Sequence, residues 1–348
     1  MSVPARMHAI AIAAPGGPEM LRLVSAPLPA PGPGEVLIRV AAAGLNAPDI
    51  AQRRGTYPPP PGASPLPGLE VSGMVAAIGP DVAGWTEGDP VVALTNGGGY
   101  ADYVAVPAGQ VLPLPSGWSM RAGAALPETF FTVEQTLVMR SGLAAGMTVL
   151  VHGAAGGIGG AAIQIARHLG ARPIAVVSDA AKAAYAQSLG AVAAIRRDTE
   201  DFVERTLELT GGRGADRIVD IVGGDGLERN LVAAARSAHI VLVSTLAGAQ
   251  ATINAGRLLA KQLTLSGSTL RPQSSETKAA IARHLLAGVW PGLADGRIVP
   301  PRLRAFRLAD AASAHAAFEA PTHYGKVVLV TEWGAGLAED RDNPIESA

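Results

Sequence analysis

The sequence predicts an α/β protein: a parallel, doubly wound sheet flanked by helices, joined to a β-rich domain. Three observations carry this. Residues 1–126 hold short β-type runs separated by Pro and Gly, and from residue 127 strand-like runs alternate with helical stretches. A strand-turn-helix within that second part carries a tight glycine cluster, VHGAAGGIGGAA, from Val151 to Ala162.

In order along the chain, MHAIAI, EVLIRVAAAGLN, VSGMVAAIG, DPVVAL and YADYVAVP read as strands of a compact all-β unit. PPPPG at Pro58 to Gly62 is a stiff extended loop, because proline fixes φ. PETFFTVEQTLVMR is helical, and TVLVHG, PIAVVS, AVAAIR, RIVDIV, HIVLVST and LTLSGS are strands alternating with helices. SETKAAIARHLLAGVW is a further helix, and RIVPPRLRAFRLAD and HYGKVVLVTE return to strand texture and are expected to rejoin the first domain. The expected division is 1–126 with 298–333 as the β-rich domain, 127–297 as the nucleotide-binding domain, and 334–348 as a polar, poorly ordered tail.

Composition narrows the function classes. The chain has 348 residues, 48% of them hydrophobic, enough for about two domains with full cores. Lys+Arg 28 against Asp+Glu 29 gives no cationic surface for nucleic acid or an anionic membrane, so a small-molecule partner is expected. With no cysteine there is no disulfide, thiolate zinc site, iron–sulfur cluster or cysteine nucleophile. No apolar run of about 18 residues and no signal-like N-terminus are evident, so a cytoplasmic location is expected.

With 42 Gly in the chain, a glycine motif alone is weak, and its setting decides its meaning. TVLVHG is a buried-strand run, and AAIQIARHLG has apolar residues at helical spacing and ends at Gly170 as a helix C-cap does. The cluster therefore sits where a Rossmann unit holds a pyrophosphate on a helix N-terminus, with Ala155, Gly156, Gly157 and Ile158 as the cradle and Gly159 at the helix–strand contact. The first position of the strict pattern is Ala154 rather than Gly. His152 reads as a packed strand-end residue. The position that grips the NAD ribose with an acid falls at Val177 or Ser178, neither acidic. Ser178, Lys182 and Arg197 instead offer a hydroxyl and two cations to the 2′-phosphate of NADPH, with Asp179 as an opposing charge.

Beyond these motifs, LNAPDIAQRRGTYPPPPGAS, GLEVSGMVAAIG, LTNGGGYADYVAVP, ALPETFFT and HGAAGGIGGAAIQIARHLGA together resemble the medium-chain dehydrogenase/reductase family, over nearly the whole chain. The resemblance is to its zinc-independent quinone oxidoreductases, in particular the p53-inducible type, and implies a GroES-like β domain joined to a Rossmann domain. Where zinc-dependent relatives carry a cysteine and a histidine, this chain has Asn46 and Leu69, and Pro48 replaces their proton-relaying hydroxyl. Neither Asn46 nor Leu69 is a normal zinc ligand, so no metal is expected.

Without a Lewis acid, reduction of an electron-poor quinone or α,β-unsaturated carbonyl is easier than oxidation of an alcohol, because the acceptor spreads the developing charge over its own oxygen. The expected activity is hydride transfer from NADPH to a quinone. The alternatives are reduction of an enal, enone or enoyl thioester, for which Arg53 and Arg54 hint at a basic groove, and non-catalytic NADPH binding. Asn46 and Tyr57 are the candidate catalytic residues, Asn46 as a hydrogen-bonding partner of the ribose or the substrate oxygen and Tyr57 as donor of a hydrogen bond or a proton to the reduced acceptor. The resemblance adds Asn46, Thr132, Thr245, Leu246, Ala247, Ser268, Leu270, Arg271 and Lys326 as cofactor contacts. It also implies a homodimer, paired along the strand near Gln262 to Ser268. Glu70 and Asp49 read as structural acids, and Phe130 and Phe131 as core.

Overall fold

The structure, a computed structural model, describes residues 4–337 and 345–346. The chain divides into two units, one drawn from Met1–Phe131, Arg271–Trp290 and Pro300–Ala348, the other from Thr132–Leu270 and Pro291–Val299. In chain order the strands are β1 (Arg6–Ile12), β2 (Leu21–Pro27), β3 (Glu35–Gly44), β4 (Glu70–Ile78), β5 (Pro90–Leu94), β6 (Tyr103–Pro107) and β7 (Val111–Pro113). There follow β8 (Thr148–His152), β9 (Arg172–Val177), β10 (Ala193–Arg196), β11 (Ala215–Asp220), β12 (Ala234–Leu242) and β13 (Thr264–Gly267). The last are β14 (Leu303–Arg307), β15 (Lys326–Val330) and β16 (Ile345–Glu346).

In the first unit β1 and β2 form an antiparallel hairpin, and a larger sheet runs β16-β14-β15-β3-β4-β5-β7, with β6 also paired to β3. Val36, Ile38 and Val40 alternate along β3 and meet Val71, Val91, Phe306, Val327 and Leu329 in one core. That alternation is what turns one face of β3 inward. The helix Ser275–Gly288 belongs to this unit, not to the nucleotide-binding unit as expected. Its Ala279 packs against Gly109, where an added Cβ would lie 2.8 Å from the Ala279 Cβ. No change of composition marks that crossover in the sequence, so periodicity alone could not assign the helix.

The second unit holds a six-stranded parallel sheet in the order β10-β9-β8-β11-β12-β13, the doubly wound arrangement expected. Every residue of TVLVH in β8 is buried, as a central strand covered on both faces requires. The helical stretch after residue 127 is an α-helix over Pro127–Val133 that widens into a π-helix over Glu134–Arg140.

The expected polar tail is partly corrected. Gly334 lies in a short helix, Glu332–Ala335, whose N-cap Thr331 side chain accepts from the Gly334 N–H. An added Cβ at Gly334 would sit 2.0 Å from Ala41 O, so this turn packs on β3. Ile345–Glu346 pairs in parallel with β14, and Glu346 takes both Nε and Nη2 of Arg304, at 2.8 and 2.6 Å. The remainder, residues 338–344 and 347–348, lies outside the described residues.

Candidate functional site

The nucleotide-binding unit gathers its candidate residues at the carboxyl ends of parallel strands, where ligands of doubly wound sheets bind. At the end of β8, Gly153 takes φ +61° and turns the chain, and Gly156 N-caps the helix Gly157–His168 with no side-chain cap. The tight-turn residue is therefore Gly153, one position before the Ala154 that the strict pattern indicates. An added Cβ at Gly159 would lie 2.5 Å from Ala154 Cα, so this glycine permits the close helix–strand approach. At Gly156 an added Cβ would make only an ordinary contact, 3.5 Å from Gly153 O.

At the end of β9, Lys182 Nζ donates to Ser178 Oγ at 2.9 Å and lies 3.3 Å from Asp179 Oδ2. Asp179 caps the next helix, accepting the Lys182 N–H at 2.9 Å and the Ser178 hydroxyl at 2.8 Å, and these bonds hold its carboxyl below the usual range. Arg197, whose N–H donates to Val177 O at 3.0 Å, is exposed and makes no ion pair among the described residues.

Thr245, Leu246 and Ala247 lie in an exposed loop after β12, pinned by the Ala247 N–H to Val222 O at 2.8 Å. Ser268 follows β13, with its Oγ buried and without a partner among the described residues, and Leu270 is buried. Thr132 is buried in the helix Pro127–Val133. Beneath the glycine turn lies a network not seen in the sequence. His152 Nε2 meets Asn230 Oδ1 at 2.7 Å, Asn230 Nδ2 donates to Asp220 Oδ2 at 2.9 Å, and Asp220 Oδ1 accepts the Val222 and Gly223 N–H groups. Burial holds the His152 imidazole below its ordinary pKa, consistent with a packed strand-end residue.

The first unit contains a buried polar cluster. Asn46 Nδ2 donates to Glu70 Oε1 at 2.7 Å, and Lys326 Nζ donates to Asn46 Oδ1 at 2.7 Å and to Glu70 Oε1 at 2.5 Å. Glu70 Oε2 accepts the Glu128 N–H at 2.9 Å. Asn46 N-caps the helix Ala47–Arg53 in a capping box with Asp49, whose Oδ2 accepts the Asn46 N–H at 2.9 Å and whose Oδ1 accepts the Gly68 N–H at 3.0 Å. Burial pushes the Asp49 carboxyl up to about 6 against those two bonds.

Arg271 is in this unit, 4% exposed as a residue, with its guanidinium committed to Asn96 O at 2.8 Å and Gln52 Oε1 at 2.8 Å. It lies over the Tyr57 ring, 5.6 Å from the centroid. Arg271 thus acts inside the first unit, as a brace for the partly buried Tyr57. Lys326 likewise is 2% exposed, so its ammonium serves Asn46 and Glu70 rather than solvent. Both side chains, expected by resemblance as cofactor contacts, have their charged groups engaged by other residues of the first unit. Phe130 and Phe131 are core, at 4% and 0% exposure.

Arg53 and Arg54 form no basic groove. Arg53 is 1% exposed and bonds Gly16 O, His315 Nδ1 and Glu319, and Arg54 also pairs with Glu319. A cavity of about 780 Å³ lies against the PPPPG loop, Asn96 and Arg271, and neither Asn46 nor Tyr57 lines it.

A zinc ion does not fit the donor set. The Lys326 ammonium occupies Asn46 Oδ1 and Glu70 Oε1, Leu69 is an apolar side chain, and no group of three or more His, Asp or Glu among the described residues could hold a metal.

Comparisons with known proteins agree with this architecture. Residues 32–116 match the alcohol dehydrogenase GroES-like domain, and residues 157–285 match the domain described as zinc-binding dehydrogenase. The chain is 32% identical to the quinone oxidoreductase of Rattus norvegicus, over 82% of this chain and 87% of that protein. It is similar to the crystal structure of the Pseudomonas syringae quinone oxidoreductase, with 31% identity, a TM-score of 0.81, and 93% and 99% of the two chains covered. It is equally similar to a mycobacterial protein solved in complex with NADPH, at 32% identity, a TM-score of 0.80, and 93% and 99% coverage. With its GroES-like and Rossmann units and these relatives, the chain belongs to the medium-chain dehydrogenase/reductase superfamily, among its quinone-oxidoreductase-like members.

Proposed function

We propose that the protein is a zinc-independent oxidoreductase that transfers hydride from NADPH to a quinone. The observation that carries this reading is the Asn46–Glu70–Lys326 cluster, in which an ammonium sits among the donors and no metal-ligand set remains. Acceptors that delocalise their own charge suit such a site, since nothing in it replaces a Lewis acid for an alkoxide.

The residues of the nucleotide-binding unit fit NADPH. The glycine N-cap at Gly156, with no side chain over the start of the helix at Gly157, suits a pyrophosphate, and Ser178, Lys182 and Arg197 suit a 2′-phosphate. Asp179 is the opposing charge beside them, offset by its capping bonds and by Lys182 at 3.3 Å. The orphaned Ser268 Oγ, with Thr132 and residues 245–247 nearer the other end of the cofactor by resemblance, would complete the contacts. When bound, NADPH supplies the hydride. Asn46, held rigid by Glu70 and Lys326, and Tyr57, braced by Arg271, orient the acceptor oxygen.

The p53-inducible subtype, a cytoplasmic location and a homodimer are part of the same reading. β13 is an edge strand of its sheet, which leaves a ladder for pairing with a second copy. No helix among the described residues is long and apolar enough to cross a membrane. Sedimentation velocity tests the dimer.

The acceptor is tested by NADPH consumption with an ortho-quinone, an enone and crotonyl-CoA in parallel. The quinone is expected to be reduced with the highest kcat/KM. Preference for crotonyl-CoA would move the protein to the enoyl-thioester reductases, and tight NADPH binding with no turnover would make it a binding protein.

A further inference from the structure

The proposed reaction consumes a proton, and the acid that supplies it has to be a group not already spent on holding the fold. Glu128 stands out. It opens the helix Pro127–Val133 at its second residue, is 8% exposed, and is tied to the polar cluster only through its backbone N–H, which donates to Glu70 Oε2. Its carboxyl makes no hydrogen bond or ion pair among the described residues, whereas those of Asp49 and Glu70 are both taken. A buried carboxyl without partners is costly when charged and is retained as the neutral acid.

We propose that Glu128 is the proton donor to the reduced acceptor, a role that rests on the quinone-reductase reading. The charged groups facing it come from every neighbouring element: Asp49 from the helix Ala47–Arg53, Glu70 from β4, Tyr57 and Arg271 from loops, Lys278 from the helix Ser275–Gly288, and Lys326 from β15. Burial, with the Glu70 and Asp49 carboxylates, pushes Glu128 up to about 8, against the pull of Lys326 and Lys278. Tyr57 is pushed up from its ordinary value by burial and by Glu128, which makes it a hydrogen-bond donor but a poor acid near neutrality.

The step balances as follows. The O–H bond of Glu128 breaks and a new O–H bond forms on one acceptor oxygen, while bound NADPH would supply the hydride, and with it the two electrons, by loss of its C–H bond to give NADP+. Glu128 is left as a carboxylate near the ammonium groups of Lys278 and Lys326, and water returns its proton.

The test is the pH dependence of kcat with NADPH and phenanthrenequinone for the wild type, Glu128→Gln and Lys278→Arg. The wild type is expected to lose kcat as pH rises through about 8. Glu128→Gln should lose about 100-fold in kcat, with little change in KM or in NADPH affinity measured by fluorescence, and should lack that limb. Lys278, whose own pKa is pulled down to about 8 by burial, is the competing source of the limb, and Lys278→Arg should keep it because arginine does not titrate there.

Infrared difference spectra of the cofactor-free wild type against Glu128→Gln should show a carboxylic-acid C=O band that persists to neutral pH. A limb that disappears in Lys278→Arg, a wild type with no loss of kcat near pH 8, a band already lost in mild acid, or a Glu128→Gln variant with near-normal kcat would overturn the proposal while leaving the quinone-reductase reading intact. A wild type that oxidises no NADPH when phenanthrenequinone is present would remove both.

Discussion

Lys326 Nζ lies 2.5 Å from Glu70 Oε1 and 2.7 Å from Asn46 Oδ1, joining the start of β15, the start of β4 and a helix N-cap in one buried cluster. Removing one partner of a buried pair leaves the other charge uncompensated. Lys326→Met is therefore expected to cost about 3–5 kcal/mol in urea unfolding, and Lys326→Met with Glu70→Gln should recover part of that loss. Equal losses in the single and double variants would show that the pair does not act as a unit.

The glycine turn makes two separable predictions. Gly159→Ala places a Cβ 2.5 Å from Ala154 Cα and should lower the melting temperature together with NADPH affinity. Gly156→Ala meets nothing nearer than 3.5 Å, so it should leave the melting temperature unchanged and weaken NADPH roughly tenfold or more, a cost of about 1.4 kcal/mol, by filling the space a phosphate needs. Fluorescence titration and thermal melts on the same samples separate the two outcomes.

Cofactor choice is testable at Lys182 and Arg197. Each change to Ala should weaken NADPH by about 1.5–3 kcal/mol, the usual value of a charge-assisted hydrogen bond, and leave NADH nearly unaffected. Equal weakening of both cofactors would remove these residues from the 2′-phosphate.

Much of this was legible in the sequence, and the exceptions have physical causes. The strand before Gly153 is legible as a short continuous apolar run and the helix after it by apolar residues at helical spacing, whereas the strict pattern puts the turn at Ala154 and not at Gly153, since a consensus motif does not report φ. Asn46 and Glu70 are 24 positions apart and Glu70 and Lys326 are 256 apart, a distance no local pattern spans. Lys326 and Arg271 enter the cofactor reading only through the family resemblance of their segments, which carries no information on the carboxylate, amide and carbonyl partners that hold the two side chains in the fold. Glu128 carried no signal at all, because one acid in the helical stretch PETFFT is ordinary for a solvated face and only burial sets it apart.

Stability should depend on pH through Glu128. Its folded pKa is raised from 4.5 to about 8, so the unfolded chain ionises first, and the contribution present below the unfolded value is lost as pH rises towards about 8. The loss is at most about 1.4 kcal/mol per pH unit across that window. Glu128→Gln should match the wild type near pH 4 and be the more stable protein at pH 8, as read by urea unfolding at the two values.

The claim on which the rest depends is hydride transfer from NADPH to a quinone without a metal. It is tested most directly by following NADPH absorbance with an ortho-quinone, using enzyme whose metal content has been measured, before and after incubation with a strong chelator. The account predicts steady NADPH oxidation at the same rate in both samples, with no stoichiometric zinc. No oxidation with any quinone, or activity lost on chelation and restored by zinc, would contradict it.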